Sequence, residues 1–173
     1  MYAQLKIKAV SNMNLQKLFQ MQSTLDNRIL AEHNLEGMNL LYKKILSLQV
    51  ELGELANETR CFKFWSTKQP SSKDITLEEY VDCLHFILSI GLEKNFTDII
   101  LDDKQNTSEL FQQFLDIYVN ISNFIISSSL DNYLTIFKNF LCLGGNLGFS
   151  NEDIQNAYFH KNNINHERQD NGY

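Results

Sequence analysis

The chain contains VELGELANE at residues 50–58 and LEEYVDCLHF at residues 77–86, and these two stretches decide which fold we expect. Each stretch carries two carboxylates that are three residues apart in sequence. They are Glu51 with Glu54 and Glu79 with Asp82. Residues at this spacing lie on one face of an α-helix, so each stretch presents two groups of oxygen atoms side by side.

The segment Ser66–Asp74 separates the two stretches and contains Pro70, the only proline in the chain. This break predicts that two helices fold back on each other as an antiparallel hairpin, which would bring the four carboxylates together. Converging carboxylates repel one another strongly unless cations neutralise them, and hard oxygen ligands suit Mg²⁺ or Mn²⁺. The sequence therefore predicts a helical bundle with a four-carboxylate metal site between two antiparallel helices.

Apolar residues border both carboxylate pairs at helical spacing. They are Ile45, Leu48, Leu52 and Leu55 in the first stretch, and Tyr80, Leu84, Ile87 and Leu88 in the second. Carboxylates at the edge of such a seam face a partner helix, whereas an isolated acidic pair is usually part of a solvated face. A capping box from Thr76 to Glu79 is a competing interpretation, because it would turn the Glu79 carboxylate back to the backbone and leave Glu78 as the available ligand.

Composition favours a single all-α domain over residues 1–173. Apolar residues make up 43% of the chain, and seven glycines and one proline are few, so long helices are favoured over a turn-rich β fold. A net charge of −6 argues against a general nucleic-acid binder. The three cysteines lack metal-ligand spacing and fit reduced thiols in a cytoplasm. The sequence also shows no apolar signal core and no membrane-spanning run, so we expect a cytoplasmic protein with no membrane partner.

Hydrophobic periodicity predicts six helices. The first begins after Asn12 or Asn14 and ends between Glu32 and Gly37, and the others span about residues 38–62, 76–93, 109–126, 131–143 and 150–163. We expect residues 12–94 and 150–173 to carry the site. Residues 98–147 would supply additional helices for the core, or for contact with a second subunit or another partner. The GGNLG sequence at residues 144–148 lacks the Lys-Ser/Thr of a P-loop and is interpreted as a helix end and turn.

Four residues in the first half of the chain are candidates for a substrate pocket. Gln22 is the polar member of an apolar helical stripe, which fits either a hydrogen-bonded core amide or an amide aimed into a pocket, and Asp26 lies one turn further on. Trp65 follows the second helix, where it would either plug the core or stack on a base. His85, one turn after Asp82, is either a structural hydrogen-bonding group or a ligand.

The C-terminal tail is the second informative stretch. Lys161, Asn165 and Arg168 are spaced four and three residues apart, so one helix-like face would hold an ammonium, an amide and a guanidinium, which together suit phosphate oxygens. Tyr158 lies one turn earlier, and Tyr173 ends the chain. A frayed polar terminus is the alternative. We expect the tail to be a mobile lid that packs only when phosphates neutralise its charges.

Taken together, these motifs resemble those of the dimeric, all-α dUTPases of the all-α nucleoside triphosphate pyrophosphatase superfamily, which include bacteriophage and bacterial enzymes. The matching motifs are QxxLD at Gln22–Asp26, ExxE at Glu51–Glu54, KFW at Lys63–Trp65, ExxD at Glu79–Asp82 and AYxxKNxxNxxRQxxGY at Ala157–Tyr173. The resemblance spans about residues 15–173, although residues 98–147 contribute little to it.

The resemblance implies a Mg²⁺-dependent, homodimeric dUTP diphosphatase that converts dUTP, and also dUDP, to dUMP. It also implies three sets of site residues. Mg²⁺ would be held by Glu51, Glu54, Glu79 and Asp82. The deoxyuridine pocket would be shaped by Gln22, Asp26, Trp65 and His85. The phosphates would be bound by Tyr158, Lys161, Asn165, Arg168 and Tyr173. Glu51 would in addition accept a proton from the attacking water.

Two alternative functions and one additional role stay open at this point. A related all-α pyrophosphatase would act on a different nucleotide. A di-iron carboxylate bundle would use the Asp82-x-x-His85 pattern, but that fold needs two Glu-x-x-His motifs and leaves the tail residues without a use. Bacteriophage dUTPases also engage host regulatory proteins, a role for which residues 98–147 are the candidate surface.

Overall fold

The computed structural model describes residues 13–101 and 106–172, and within these ranges every regular element is helical. The six helices are α1 (Leu15–Glu32), α2 (Leu41–Thr59), α3 (Lys73–Glu93), α4 (Leu110–Ile126), α5 (Leu130–Asn146) and α6 (Asn151–Asp170). The all-α prediction is confirmed for this part of the chain. None of these helices is long and apolar enough to span a membrane within the described ranges.

Helix α3 lies at the centre of the bundle and packs against α1, α2, α5 and α6. Eleven of its 21 residues are buried, because apolar and small residues surround this helix instead of forming one stripe. A helix of this kind is stable only when other elements cover it on several sides. The remaining helices are therefore arranged around α3.

Helices α2 and α3 form the predicted antiparallel hairpin. Leu48, Leu52 and Leu55 of α2 are buried, and each buried leucine contributes roughly 1.5–3 kcal/mol of transfer free energy. At the far end of the hairpin, Nζ of Lys44 near the start of α2 lies 2.8 Å from a carboxylate oxygen of Glu93 at the end of α3. The apolar seam thus fixes how α2 lies along α3.

The end of α2 and the start of α3 differ from the predicted positions. Helix α2 ends at Thr59, not near Phe62, because Arg60 adopts a left-handed backbone conformation with φ of 58°. Helix α3 begins after Ser72, so Thr76 lies within its first turn and its hydroxyl donates to the carbonyl of Ser72. The capping box from Thr76 to Glu79 therefore does not form. The Glu79 side chain remains available to the site.

The tail is a packed helix, and the expected mobile lid is not what the structure contains. Helix α6 starts at a capping box between Ser150 and Asp153 and continues to Asp170, seven residues beyond the predicted end. Tyr158 and Lys161 are buried against the bundle. Arg28 of α1 also holds the end of α6, since its Nη2 lies 2.6 Å from a carboxylate oxygen of Asp170. Polar contacts therefore help to hold α6 against the bundle, although this helix has few apolar residues.

Helices α4 and α5 form a second hairpin, and α5 packs against α3 through aromatic side chains. The ring of Tyr80 stacks on Phe140 with a centroid separation of 4.2 Å, and the hydroxyl of Tyr133 donates to the carbonyl of Ile87. The GGNLG sequence forms the predicted helix end and turn. Helix α5 ends at Asn146, and Gly148 follows with φ of +84°.

Gly144 lets α5 approach α3 closely, which generates a stability prediction. A methyl group at this position would lie 2.5 Å from the hydroxyl oxygen of Tyr80. Tyr80 is fully buried and donates to the carbonyl of Phe140, so it has little room to move. We expect Gly144→Ala to lower the free energy of unfolding by about 1–3 kcal/mol, measured by urea denaturation.

The matched control is the next residue of the same helix. A methyl group at Gly145 would have no heavy atom within 4 Å. Gly145→Ala should leave the free energy of unfolding unchanged or raise it by up to about 1 kcal/mol, because alanine is the better helix former. Equal effects at the two positions would show that the close approach of Tyr80 is not what Gly144 accommodates.

Candidate functional site

Three carboxylates meet where α2 crosses the first half of α3. Glu51 of α2 and Glu79 and Asp82 of α3 each offer one oxygen, and these oxygens all lie within 4.8 Å of one another. The structure thus shows three of the four predicted carboxylates together, while Glu54 is exposed and lies outside the cluster. Glu79 and Asp82 have the same spacing and both belong to the cluster, so the position of Glu54 reflects how α2 is rotated against α3.

The cluster is electrostatically unfavourable in the absence of a cation. Burial, helped by the negative charges of the neighbouring carboxylates, raises the pKa of Glu51 to about 7. The pKa values of Glu79 and Asp82 are also raised, again chiefly by burial. A divalent cation would relieve both the repulsion and the loss of hydration, and an all-oxygen ligand set is the one that hard cations prefer. These residues therefore fit a divalent metal ion.

Lys161 of α6 supplies positive charge at the edge of the cluster. Its Nζ lies 2.7 Å from Oδ2 of Asp82 and 2.9 Å from Oε1 of Glu78, and only 7% of its side chain is exposed. Burial lowers the pKa of Lys161, but its hydrogen bonds to the two carboxylates outweigh burial, and the net pKa is raised. Lys161 is therefore a charged, partly desolvated cation bound to one member of the cluster.

A network of neutral and charged polar groups lies beside the cluster, between α1, α3 and α6. Nε2 of Gln22 donates to Oδ1 of Asp26 over 2.7 Å, and the hydroxyl of Ser89 donates to the other oxygen of that carboxylate over 2.5 Å. Because a carboxylate accepts hydrogen bonds, this contact fixes the orientation of the amide. Oε1 of Gln22 then accepts from the hydroxyl of Tyr158 and from Nδ1 of His85, each over 2.7 Å.

His85 is a neutral imidazole with one unused acceptor. Burial lowers its pKa to about 3, and Lys161 adds to the effect, so the ring carries a single proton at neutral pH. That proton lies on Nδ1, since Gln22 accepts it, and Nε2 is left as an acceptor. Nε2 is buried and has no hydrogen-bond partner in the described structure, while the ring stacks on Tyr158 at a centroid separation of 4.2 Å.

A single cavity of about 300 Å³ connects the carboxylates with this network. Its walls are formed by Gln22, Leu25, Asp26, Ile29, Glu51, Asp82, His85, Phe86, Ser89, Asn165, Arg168 and Gln169. It brings together two carboxylates of the cluster, the polar groups around Gln22 and His85, and the two amides and one guanidinium that α6 contributes. A ligand with a polar ring and an anionic chain would match these three environments.

The structure brings most of the predicted site residues together, but not all of them. Trp65 is 65% exposed and does not line this cavity, and its ring packs edge-on against Phe62 and Phe64 in the loop after α2. The hydroxyl of Tyr158 donates to Gln22, so in this structure it supports the amide and does not reach towards a phosphate position. Tyr173 lies outside the described residues.

Sequence reasoning missed several residues of the cavity and its surroundings. Ser89 lies four residues after His85, and Gln169 lies four residues after Asn165. Extending each of these two helical faces by one turn would therefore have found both residues. Lys44 gave no such signal. Its Nζ lies 2.8 Å from a carboxylate oxygen of Glu93 at the end of α3 and 3.6 Å from one of Asp26. The contact with Asp26 depends on how α1 lies against the hairpin.

The comparison with known protein families gives one match that covers most of the chain. Residues 14–173 match the family described as dUTPase. The search of curated proteins found no match. The di-iron alternative loses its support, because His85 contacts Gln22 and does not belong to the carboxylate cluster. The match includes both carboxylate helices and all of α6, and the chain therefore belongs to the all-α dUTPase family, whose members hydrolyse dUTP to dUMP.

Proposed function

We propose that this dUTP diphosphatase uses Mg²⁺ held by the carboxylate cluster, and that the connected cavity binds deoxyuridine and its phosphates in one extended pose. The single observation that supports this proposal best is the cavity itself, which joins the unpartnered acceptor of His85 to Glu51 and Asp82. Asn165 and Arg168 of α6 line the same cavity and would bind the phosphates in that pose.

The base would be recognised by neutral hydrogen-bonding groups. Uracil carries a proton on N3, whereas cytosine has a lone pair there, so the bare Nε2 of His85 would accept from uracil and repel cytosine. Gln22 already uses one amide hydrogen and its carbonyl oxygen inside the protein, and it retains a second amide hydrogen for a carbonyl of the base. A buried acceptor that the wrong base leaves unpaired costs binding energy, which is how such a site discriminates.

The phosphates would be bound by α6 and by the cations it carries. Arg168 offers a planar fork and Asn165 a neutral donor, and both line the cavity. Lys161 lies beside Asp82, close enough to the cluster to contact a phosphate that approaches it. These assignments extend the charge complementarity between the acidic hairpin and the basic face of α6.

Hydrolysis would place a water molecule between Glu51 and the α-phosphorus. A bound divalent cation would offset the negative charge of the triphosphate and increase the acidity of that water. Glu51, the carboxylate of α2 in the cluster, would accept the proton from that water. The water oxygen forms a bond to the α-phosphorus, the bond from that phosphorus to the bridging oxygen breaks, and pyrophosphate leaves. With dUDP the same step would release phosphate.

We expect turnover of dUTP with Mg²⁺ to exceed that of dCTP, dTTP and UTP, measured as release of pyrophosphate. For dCTP the difference in kcat/KM should be at least about 100-fold, because its N3 cannot donate to His85. His85→Phe keeps an aromatic ring next to Tyr158 but removes the acceptor. This variant should lose most of the discrimination between dUTP and dCTP.

His160→Phe is the matched control, since His160 is exposed on α6 and does not line the cavity. It should keep the discrimination of the unmodified protein. Equal turnover of all four nucleotides by the unmodified protein would contradict deoxyuridine specificity, and would instead support a related pyrophosphatase with broader specificity.

Glu54 would complete the metal site as a fourth ligand when the ion is bound. It lies one turn from Glu51 on α2, and its negative charge already contributes to the raised pKa values of Glu51 and Glu79. A side-chain rotation at an exposed position costs little, and Mg²⁺ commonly keeps water ligands that a carboxylate can replace. The predicted set of four carboxylates is thus retained as a proposal for the metal-bound protein.

We expect Glu54→Gln to weaken Mg²⁺ binding by about 10-fold or more, measured by isothermal titration calorimetry, because it removes one negative ligand. The melting temperature of the metal-free protein should stay the same or rise, since repulsion among the carboxylates falls. Glu36→Gln, at an exposed position in the loop before α2, is the control and should change neither property. Unchanged Mg²⁺ affinity in the Glu54 variant would exclude it as a ligand.

The protein would act as a homodimer through an apolar face formed by α2 and α4. These helices pack side by side, and the hydroxyl of Tyr118 donates to the carbonyl of Gln49 over 3.0 Å. Exposed apolar side chains flank this contact along both helices. They are Tyr42, Leu46 and Val50 of α2 and Phe111, Leu115, Val119 and Ile126 of α4, exposed by 40–85%. An exposed apolar patch that runs along two helices is typical of a protein–protein interface.

We expect the unmodified protein to sediment as a dimer in analytical ultracentrifugation, and the double variant Leu46→Asp/Leu115→Asp to sediment as a monomer. Ile100→Asp introduces the same charge at an exposed apolar residue outside this face and should leave the dimer intact. A monomeric unmodified protein would contradict the proposal, and would leave this face for a different partner such as a regulatory protein.

A further inference from the structure

The contact between Lys161 and Asp82 joins a permanent cation to a residue of the three-carboxylate cluster. The ammonium of Lys161 bridges Asp82, whose side chain is 19% exposed, and Glu78, whose side chain is 58% exposed. Asp82 belongs to the cluster and Glu78 does not. Lys161 therefore contacts a carboxylate that a divalent cation would also bind.

We propose that Lys161 is a built-in counter-cation of the metal site, which a divalent cation must displace from Asp82, and that Glu78 retains Lys161 after the displacement. This inference rests on the metal site of the proposed function. It goes further by giving a role to Glu78, and by making metal binding depend on where the ammonium of Lys161 lies.

Competition between the two cations follows from distance and burial. A carboxylate of the cluster that binds both an ammonium 2.7 Å away and a divalent ion holds three positive charges within a few ångströms. The side chains of Lys161 and Asp82 are largely shielded from water, so this repulsion is screened much less than at a surface. Either the ammonium moves or the metal ion binds weakly.

Glu78 offers the ammonium of Lys161 an alternative partner when it leaves Asp82. Glu78 and Asp82 are four residues apart on α3 and so lie on the same face, and the ammonium already contacts both. Rotation of the Lys161 side chain is sufficient to leave Asp82 while the hydrogen bond to Glu78 is kept. Helix α6 need not move, because Tyr158 and Asn162 on either side of Lys161 are buried and hold the helix against the bundle.

A consequence is cooperativity between metal and nucleotide. Phosphate oxygens that enter the cavity offer Lys161 a second anionic partner, so nucleotide binding would favour the displaced state and strengthen metal binding. Linkage requires the reverse effect to be equally large. In the absence of nucleotide, the metal ion competes against Lys161 alone.

The test measures Mg²⁺ binding to the full-length protein without nucleotide, by isothermal titration calorimetry. We expect Lys161→Met to bind Mg²⁺ about 10-fold more tightly than the unmodified protein, because the competing cation is gone. Lys73→Met removes the same charge from α3, where Lys73 pairs with Asp153 outside the cluster. This control should change the affinity by less than about 3-fold. Equal effects of the two variants would overturn the proposal.

A double-mutant cycle tests the role of Glu78. Glu78→Gln should weaken Mg²⁺ binding, because Lys161 then remains on Asp82, and this loss should disappear in the Lys161→Met background. Asp74→Asn, one turn earlier on α3 and also exposed, is the control for the lost negative charge. An effect of Glu78→Gln that persists without Lys161, or that Asp74→Asn reproduces, would overturn the retaining role.

These outcomes separate the inference from the proposed function. If Lys161→Met is folded by circular dichroism and neither it nor the unmodified protein binds Mg²⁺, the metal site itself is wrong. If both bind Mg²⁺ with the same affinity, the metal site stands and the counter-cation is wrong. If Lys161→Met does not fold, the comparison of Glu78→Gln with Asp74→Asn in the otherwise unmodified chain decides, since equal affinities there overturn the proposal.

Discussion

The apolar seam between α2 and α3 holds three carboxylates closer together than their charges favour. The buried leucines of α2 fix how this helix lies along α3, and Glu51, Glu79 and Asp82 follow from that position because they border the seam. Hydrophobic burial is non-directional and large, so it can impose a local electrostatic cost that no single hydrogen bond would offset. The raised pKa of Glu51 is the visible sign of that cost. A divalent cation would relieve this repulsion on binding.

The same cavity also contains a neutral imidazole, that of His85. Burial raises the pKa of Glu51 to about 7 and lowers that of His85 to about 3, so one physical effect acts in opposite directions on an acid and a base. The amide of Gln22 ties three helices together, because it connects α1 to Tyr158 of α6 and to His85 of α3. One cavity thus holds both a carboxylate with a raised pKa and a neutral imidazole.

The sequence was sufficient for the features that depend on helical periodicity. The carboxylate spacing, the apolar seam and the six helices could all be predicted, since each follows from residues three or four apart in one helix. Features that depend on packing angles or on loops could not. The exposure of Glu54 reflects how α2 is rotated against α3, and the position of Trp65 reflects a loop whose course no local pattern determines. Lys161 was recognised as a cation near phosphates, but its partners lie some 80 residues earlier in the chain, on α3.

Helix α6 shows why the chemistry of the site and the stability of the fold are coupled in this protein. The helix is polar along much of its length, so a continuous apolar stripe cannot be what docks it. Ile154 and Tyr158 reach the apolar core, and the polar contacts of α6 include the hydrogen bond from Tyr158 to Gln22, the ion pairs of Lys161 and the ion pair between Arg28 and Asp170. The first two of these polar contacts involve residues that line the cavity or border the carboxylates. Without α6, Glu78 and Asp82 would lose their ion pair with Lys161, and without the hairpin Lys161 would lack these partners. Each therefore stabilises the other, and any ligand that takes over one of these contacts must replace the interaction it removes.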